Sequence, residues 1–213
     1  MFFVSTVEEN DYKILEGGAW GYFNDLESAI DAVHRNVTDM HETIYPYAVI
    51  ERLEQGLFPA PKERLWFGWR EEEWGFYEIE TPDFANKYPN NFSIAMGEVG
   101  NKDLYFDASI EAAGDNSYYF IAVMSHNGDN SRHCGFFKNR ETALSAVREN
   151  WGDMHNDKYD IALVEHITSG ILPAALERVW FEWDYEMGGY METTPPEKFE
   201  DYPLDYSIIL GEA

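Results

Sequence analysis

Asp39-Met40-His41 and Asp153-Met154-His155 are the residues of this sequence whose types and spacing come nearest to chemistry. A carboxylate beside an imidazole can hold a zinc-type ion, or can act as a general base with its orienting partner. Residues two apart on a helix do not face each other, so one copy alone is a poor chelate. Two copies meeting across the molecule would offer four ligands, Asp39, His41, Asp153 and His155. The plainer expectation, and the favoured one, is that each Asp and His hydrogen-bonds the turn that leaves a helix. On that expectation there is no metal and no cofactor.

Other polar residues recur in the same relation. Glu51 and Glu165 each end an apolar run, and Arg64 and Arg178 follow thirteen positions later. A carboxyl buried there could serve as an acid or base with a raised pKa; a salt bridge to the Arg is the favoured outcome. Trp66 and Trp180 lie in Leu-Trp-Phe-Gly-Trp and Val-Trp-Phe-Glu-Trp. Alternation puts each on the face opposite Leu65, Phe67 and Trp69, or Val179, Phe181 and Trp183. Two outcomes weigh equally: a partly exposed Trp that stacks on a base or anchors a protein interface, and a Trp buried between two halves of the molecule. Glu71-Glu72-Glu73 reads as an acidic loop tip able to meet a basic partner. Cys134 lacks a counterpart and reads as an ordinary small residue. No G-x-S-x-G, H-E-x-x-H, P-loop or G-x-G-x-x-G motif is present, so no catalytic residue is assigned and no enzymatic activity is expected.

The elements that must position these residues are written twice. Gly21 to Glu98 aligns with Gly135 to Glu212 at a constant offset of 114, without a gap. GYFNDLESAIDAVHRNVTDMH matches GFFKNRETALSAVRENWGDMH, and LWFGW matches VWFEW. Internal similarity of this kind is the signature of a duplicated unit. The chain therefore divides into a first unit at 1–98, a linker at 99–117 and a second unit at 118–213. Each unit reads as α+β. FFVSTV or YFIAVM forms a first strand. Asp25 or Asn139 caps a helix whose stripe is Leu26, Ala29, Ile30 and Val33. Asn36 or Asn150 ends it in the left-handed conformation. YAVIERL or IALVEHI forms a central strand, Gly56 or Gly170 a turn, and LWFGW or VWFEW an alternating strand. A hairpin loop, REEEWG or DYEMGG, follows, and FSIAMGE or YSIILGE closes the unit. The expected product is two small antiparallel or mixed sheets, each with one main helix, packed pseudo-symmetrically.

Composition sets the partners. The chain has 213 residues, 40 Asp+Glu against 15 Lys+Arg and a net charge of -25, with 45% apolar and 16% aromatic residues. The charge is spread over both units rather than gathered in a tail. Aromatic content excludes a disordered acidic segment. The shortage of Lys and Arg argues against direct nucleic-acid binding, which relies on them to neutralise phosphates. No run approaches the ~18 apolar residues that span a bilayer, and no secretory leader is visible. A soluble, cytoplasmic chain with no membrane partner is expected. One cysteine excludes an internal disulfide framework.

The pattern GYF-x3-E-x-A-x2-AV-x2-N, then YAVIE-x4-G-x2-P and W-F-x-W, resembles short hypothetical proteins of Firmicutes and of their phages and mobile elements. It covers 21–69 and 135–183 and is here present as a tandem duplication. The resemblance carries no assigned activity; it implies only a role in the contest between phage and host defence, and in that case the host cytoplasm as location. The leading expectation is a non-enzymatic acidic binding protein that engages a basic, nucleic-acid-binding protein surface by charge mimicry, as an anti-defence inhibitor does. The alternative is a protein that binds or sequesters a small ligand, such as a nucleotide signal, in an aromatic pocket between the repeats. A metal-dependent enzyme ranks third.

Overall fold

The computed structural model describes residues 1–9, 15–87, 117–126, 131–173 and 175–197. The first unit contains β1 (Phe2–Glu9), β2 (Leu15–Phe23), α1 (Leu26–His34), β3 (Tyr47–Arg52), β4 (Gly56–Leu57), β5 (Glu63–Arg70) and β6 (Gly75–Ile79). The second contains β7 (Ser117–Met124), β8 (Ser131–Phe137), α2 (Arg140–Arg148), β9 (Ile161–Thr168), β10 (Gly170–Ile171), β11 (Ala175–Asp184) and β12 (Gly189–Thr193). Strand β7 begins at Ser117, the last residue assigned to the linker. The remainder of that segment and the closing strands expected at 92–98 and 206–212 lie outside the described residues.

Among the described residues the strands form two six-stranded sheets, ordered β10-β2-β1-β3-β5-β6 and β12-β11-β9-β7-β8-β4. Every pairing among the described strands is antiparallel. The fold is α+β, and β3 and β9 are interior strands as their apolar runs require. Each helix covers one sheet face. Ala29 and Val33 of α1 pack with Ile50 and Phe67, with Leu26 and Ile30 at the margin. Ala143, Leu144 and Val147 of α2 pack with Val164 and Phe181. The helix starts are held as the residue types dictate: Asp25 accepts from the Ser28 N–H at 2.8 Å, and Asn139 from the Thr142 N–H at 3.0 Å.

The two-residue strands join the units. Gly56 and Leu57 of β4 pair with Phe136 and Gly135 in the other unit's sheet. Gly170 and Ile171 of β10 pair with Tyr22 and Gly21. These pairings are the same contact made in both directions, since each residue and its counterpart stand 114 positions apart. Two further bonds extend them: the Phe58 N–H donates to the Cys134 carbonyl at 2.7 Å, and the Leu172 N–H to that of Trp20 at 2.8 Å. Gly56 and Gly170, expected as turns, are therefore also edge strands of the opposite sheet.

Between the sheets lies an aromatic cluster of Phe3, Tyr22, Leu53, Phe120, Phe136 and Ile167. Phe3 and Phe136 have ring centroids 5.1 Å apart, and Tyr22 and Phe120 5.2 Å. The Tyr22 hydroxyl donates to the Ile167 carbonyl at 2.6 Å. Burying side chains of this size is worth about 1.5–3 kcal/mol each as an upper estimate, enough to make the units one body rather than beads.

Candidate functional site

The retained polar residues build the exit from each helix. Asn36 takes φ 46° and Asn150 φ 50°, the left-handed turn that Asn tolerates. The Asn36 side-chain nitrogen donates to Asp39 Oδ1 at 2.9 Å, and its oxygen accepts from the His41 N–H at 2.9 Å. In the second unit Asn150 bonds Asp153 at 3.4 Å and accepts from the His155 N–H at 3.0 Å. The imidazoles stack on the alternating strands. His41 lies 3.9 Å from Trp69 at an interplanar angle of 9°, and His155 lies 3.9 Å from Trp183 at 11°. The carboxylate is thus engaged by Asn and the ring by Trp, so each Asp-Met-His braces its turn. Met40 is buried under α1 and Met154 under α2, in separate cores. The expectation that Asp39, His41, Asp153 and His155 converge as four ligands is corrected accordingly. Among the described residues no group of three His, Cys, Asp or Glu is placed to hold a metal ion.

The two copies differ in what surrounds the imidazole. His41 Nδ1 accepts from the Thr43 N–H at 3.2 Å. His155 is buried, with Nδ1 3.8 Å from Asp157 and Nε2 3.8 Å from Asp160. Those distances are too long for hydrogen bonds, and Nε2 has no hydrogen-bond partner among the described residues.

The braced Trp carries a hairpin in each unit. Strands β5 and β6 close at Arg70 and Gly75, leaving Glu71, Glu72, Glu73 and Trp74 as the loop. Strands β11 and β12 close at Asp184 and Gly189, leaving Tyr185, Glu186, Met187 and Gly188. The second tip is held by its own acid, since Asp184 Oδ1 accepts from the N–H groups of Glu186 and Met187 at 2.8 and 2.9 Å. Both tips display large apolar side chains: Trp74 is 76% exposed, Tyr185 73% and Met187 74%. Glu71, Glu72 and Glu73 are exposed beside Trp74. Trp69 meets Trp74 edge-on at 6.3 Å, and His155 meets Tyr185 edge-on at 5.8 Å. The Tyr185 hydroxyl donates to Asp160 at 2.5 Å. That bond raises the Tyr185 pKa, with Asp160 also acting through its charge.

Trp74 also has a left-handed backbone, as do eleven other non-glycine residues among those described. Its φ is 50°, and its counterpart 114 positions on is Gly188, with φ 68°. Glycine adopts that conformation freely, whereas a bulky side chain is strained there.

The remaining candidates lie elsewhere. Glu51 pairs with Arg64 at 2.8 Å and Glu165 with Arg178 at 2.9 Å, each across adjacent strands, with both carboxyl groups fully buried. These are salt bridges inside the sheets. Trp66 is 2% exposed and Trp180 4%, which corrects both expectations for them. Trp66 is covered by Val7, Val49, Phe84 and Ala85 of its own unit, and Trp180 packs with Met124, Ile161 and Leu163 of its own. Neither belongs to the aromatic cluster between the units. Cys134 is buried in the core under α2. No family model matches this chain, and neither curated proteins nor solved structures yield a match. No helix among the described residues is long and apolar enough to cross a membrane.

Trp74, Tyr185 and Met187 are therefore the residues that sequence reasoning missed. The signal was present for Trp74: the gapless repeat sets it against Gly188.

Proposed function

We propose that this chain is a non-enzymatic binding protein whose acidic hairpin tips engage a basic protein surface. The observation that carries this reading is Trp74, an exposed aromatic in a glycine-type backbone conformation beside three glutamates. Strain at a solvent-facing site costs stability and brings the free protein nothing, so it points to a use in contact. An aromatic anchor with a charged rim is the composition of an interface hot spot. Tyr185 and Met187 give the second tip the same character. A net charge of -25 would steer a cationic partner and make association salt-sensitive. A narrower form follows from the resemblance to phage and mobile-element proteins: the tips act as a decoy for a nucleic-acid-binding site, in the manner of an anti-defence inhibitor.

The test is affinity purification with the wild-type chain and with Trp74→Gly side by side, at low and high salt. A partner held by the wild type, lost with the variant and released by salt supports the proposal. Partners that bind both chains equally, or that ignore salt, would sink it. Competition by duplex DNA for the captured partner separates the decoy from a plain acidic binder.

A further inference from the structure

The junction of the units holds a feature that the hairpin tips do not explain. A cleft of about 330 Å³ opens between them, lined by Met1, Arg52, Leu53, Glu54 and Gln55 of the first unit and Tyr118, Phe136 and Lys138 of the second. Most of the described cations are paired with a carboxylate, and Arg52, Lys138 and Lys158 are not. With 40 acids to 15 bases, cations have carboxylates in abundance. Arg35, Arg64, Arg140, Arg148 and Arg178 all have one within 3.2 Å. Arg52 and Lys138 have no carboxylate within ion-pair distance among the described residues, and both face the same cleft. Glu54, the acid in its lining, is ion-paired with Lys62 at 3.5 Å. The Met1 amino group is spent on the Leu53 carbonyl at 3.0 Å.

The duplication supplies an internal control. The positions corresponding to Arg52 and Lys138 are His166 and Asn24. His166 is already engaged, with Nε2 2.6 Å from Ser117 Oγ and its ring stacked on Tyr119 at 4.4 Å. Only one of the two corresponding corners therefore carries a pair of unengaged cations, so the pair is not a by-product of the repeated fold. The cleft also has an aromatic wall, where Tyr118 meets Phe136 edge-on at 5.8 Å. Burial raises the Tyr118 pKa, which keeps its phenol protonated and able to donate.

We propose that this cleft binds a small phosphate monoester, with the phosphate between Arg52 and Lys138 and the organic part against Tyr118. Two cations around one oxyanion give charge-assisted bonds, and the volume suits a molecule of mononucleotide size. The field of the whole chain repels anions at a distance, so any affinity must come from these short contacts.

Thermal shift and calorimetric titration at fixed ionic strength test this with adenosine monophosphate, inorganic phosphate and adenosine, using sodium chloride to balance the salt. Adenosine monophosphate is expected to stabilise the chain most, phosphate less and adenosine not at all. Arg52→Gln and Lys138→Gln should each weaken binding about tenfold, and the double variant should abolish it. His166→Gln, at the corresponding corner, should leave binding unchanged. Equal stabilisation by sodium chloride alone, or undiminished binding in the double variant, would overturn the proposal, because the effect would then be general screening of the acidic chain.

Discussion

The Cβ that Gly21 lacks would stand 1.9 Å from the carbonyl oxygen of Gly170, and the Cβ that Gly135 lacks 2.0 Å from that of Gly56. Both obstacles are backbone, so no side-chain rearrangement relieves them. The reciprocal strand exchange thus depends on glycine at both places. Gly21→Ala should cost about 1–3 kcal/mol in urea unfolding. Gly135→Ala should cost more, because Gly135 also sits at φ 154°, where L side chains are rarely found. A loss below about 0.5 kcal/mol for either, the size of an ordinary surface change, would mean that the strands can separate freely.

Much of this architecture is legible in the residues. Asp25 and Asn139 cap the helices, Asn36 and Asn150 end them left-handed, and the alternation of LWFGW places Phe67 toward α1 and Trp66 away from it. These are local relations, and local spacing encodes them. The exchange of β4 and β10 is not local: Gly56 meets Phe136 eighty positions away, and a two-residue strand carries no periodicity. The burial of Trp66 fails for a similar reason. Alternation names its face but not the cover, which Phe84 supplies from a short 3-10 turn. Arg52 and Lys138 are ordinary surface cations in the sequence and become a pair only when the two units close on each other.

Trp74 is expected to show opposite effects on stability and on binding. Trp74→Gly restores the residue that the second hairpin uses at the same backbone conformation. Relief of the left-handed strain is worth about 1 kcal/mol, and the mostly exposed ring has little burial to lose. The variant should therefore be at least as stable as the wild type in thermal unfolding while losing partner capture. A clear drop in stability would show that the ring packs on Trp69 for the sake of the fold, and the contact reading would lose its support.

Arg64 tests the buried pair. Glu51 is wholly buried and its cross-strand neighbour Arg64 holds it at 2.8 Å. Arg64→Met keeps most of the apolar stem and removes the charge, leaving a buried carboxylate without its cation. The expected loss is about 3 kcal/mol, read by denaturant unfolding. Adding Glu51→Gln to that variant should recover part of it, since the charge that needed a partner is gone. If the double variant were less stable than Arg64→Met alone, the pair would not be the reason for the loss.

His133 supplies a pH dependence with a defined sign. It is buried, its Nδ1 has no hydrogen-bond partner among the described residues, and burial lowers its pKa from 6.5 to about 4. The folded chain therefore holds this imidazole neutral while the unfolded chain protonates it at higher pH. Above pH 6.5 both states are neutral and the group costs nothing. As pH falls from 6.5 towards 4, the unfolded state takes up the proton first, and stability declines by an amount on the order of 3 kcal/mol. The first unit has Ala19 at the corresponding position, so His133→Ala removes the titration with a residue this fold already uses there. The variant should show a flatter stability profile between pH 6.5 and 4 than the wild type, whatever the other carboxylates contribute to both. Parallel profiles would mean that His133 is protonated at its usual pKa in the folded chain, which its burial forbids unless the strand opens.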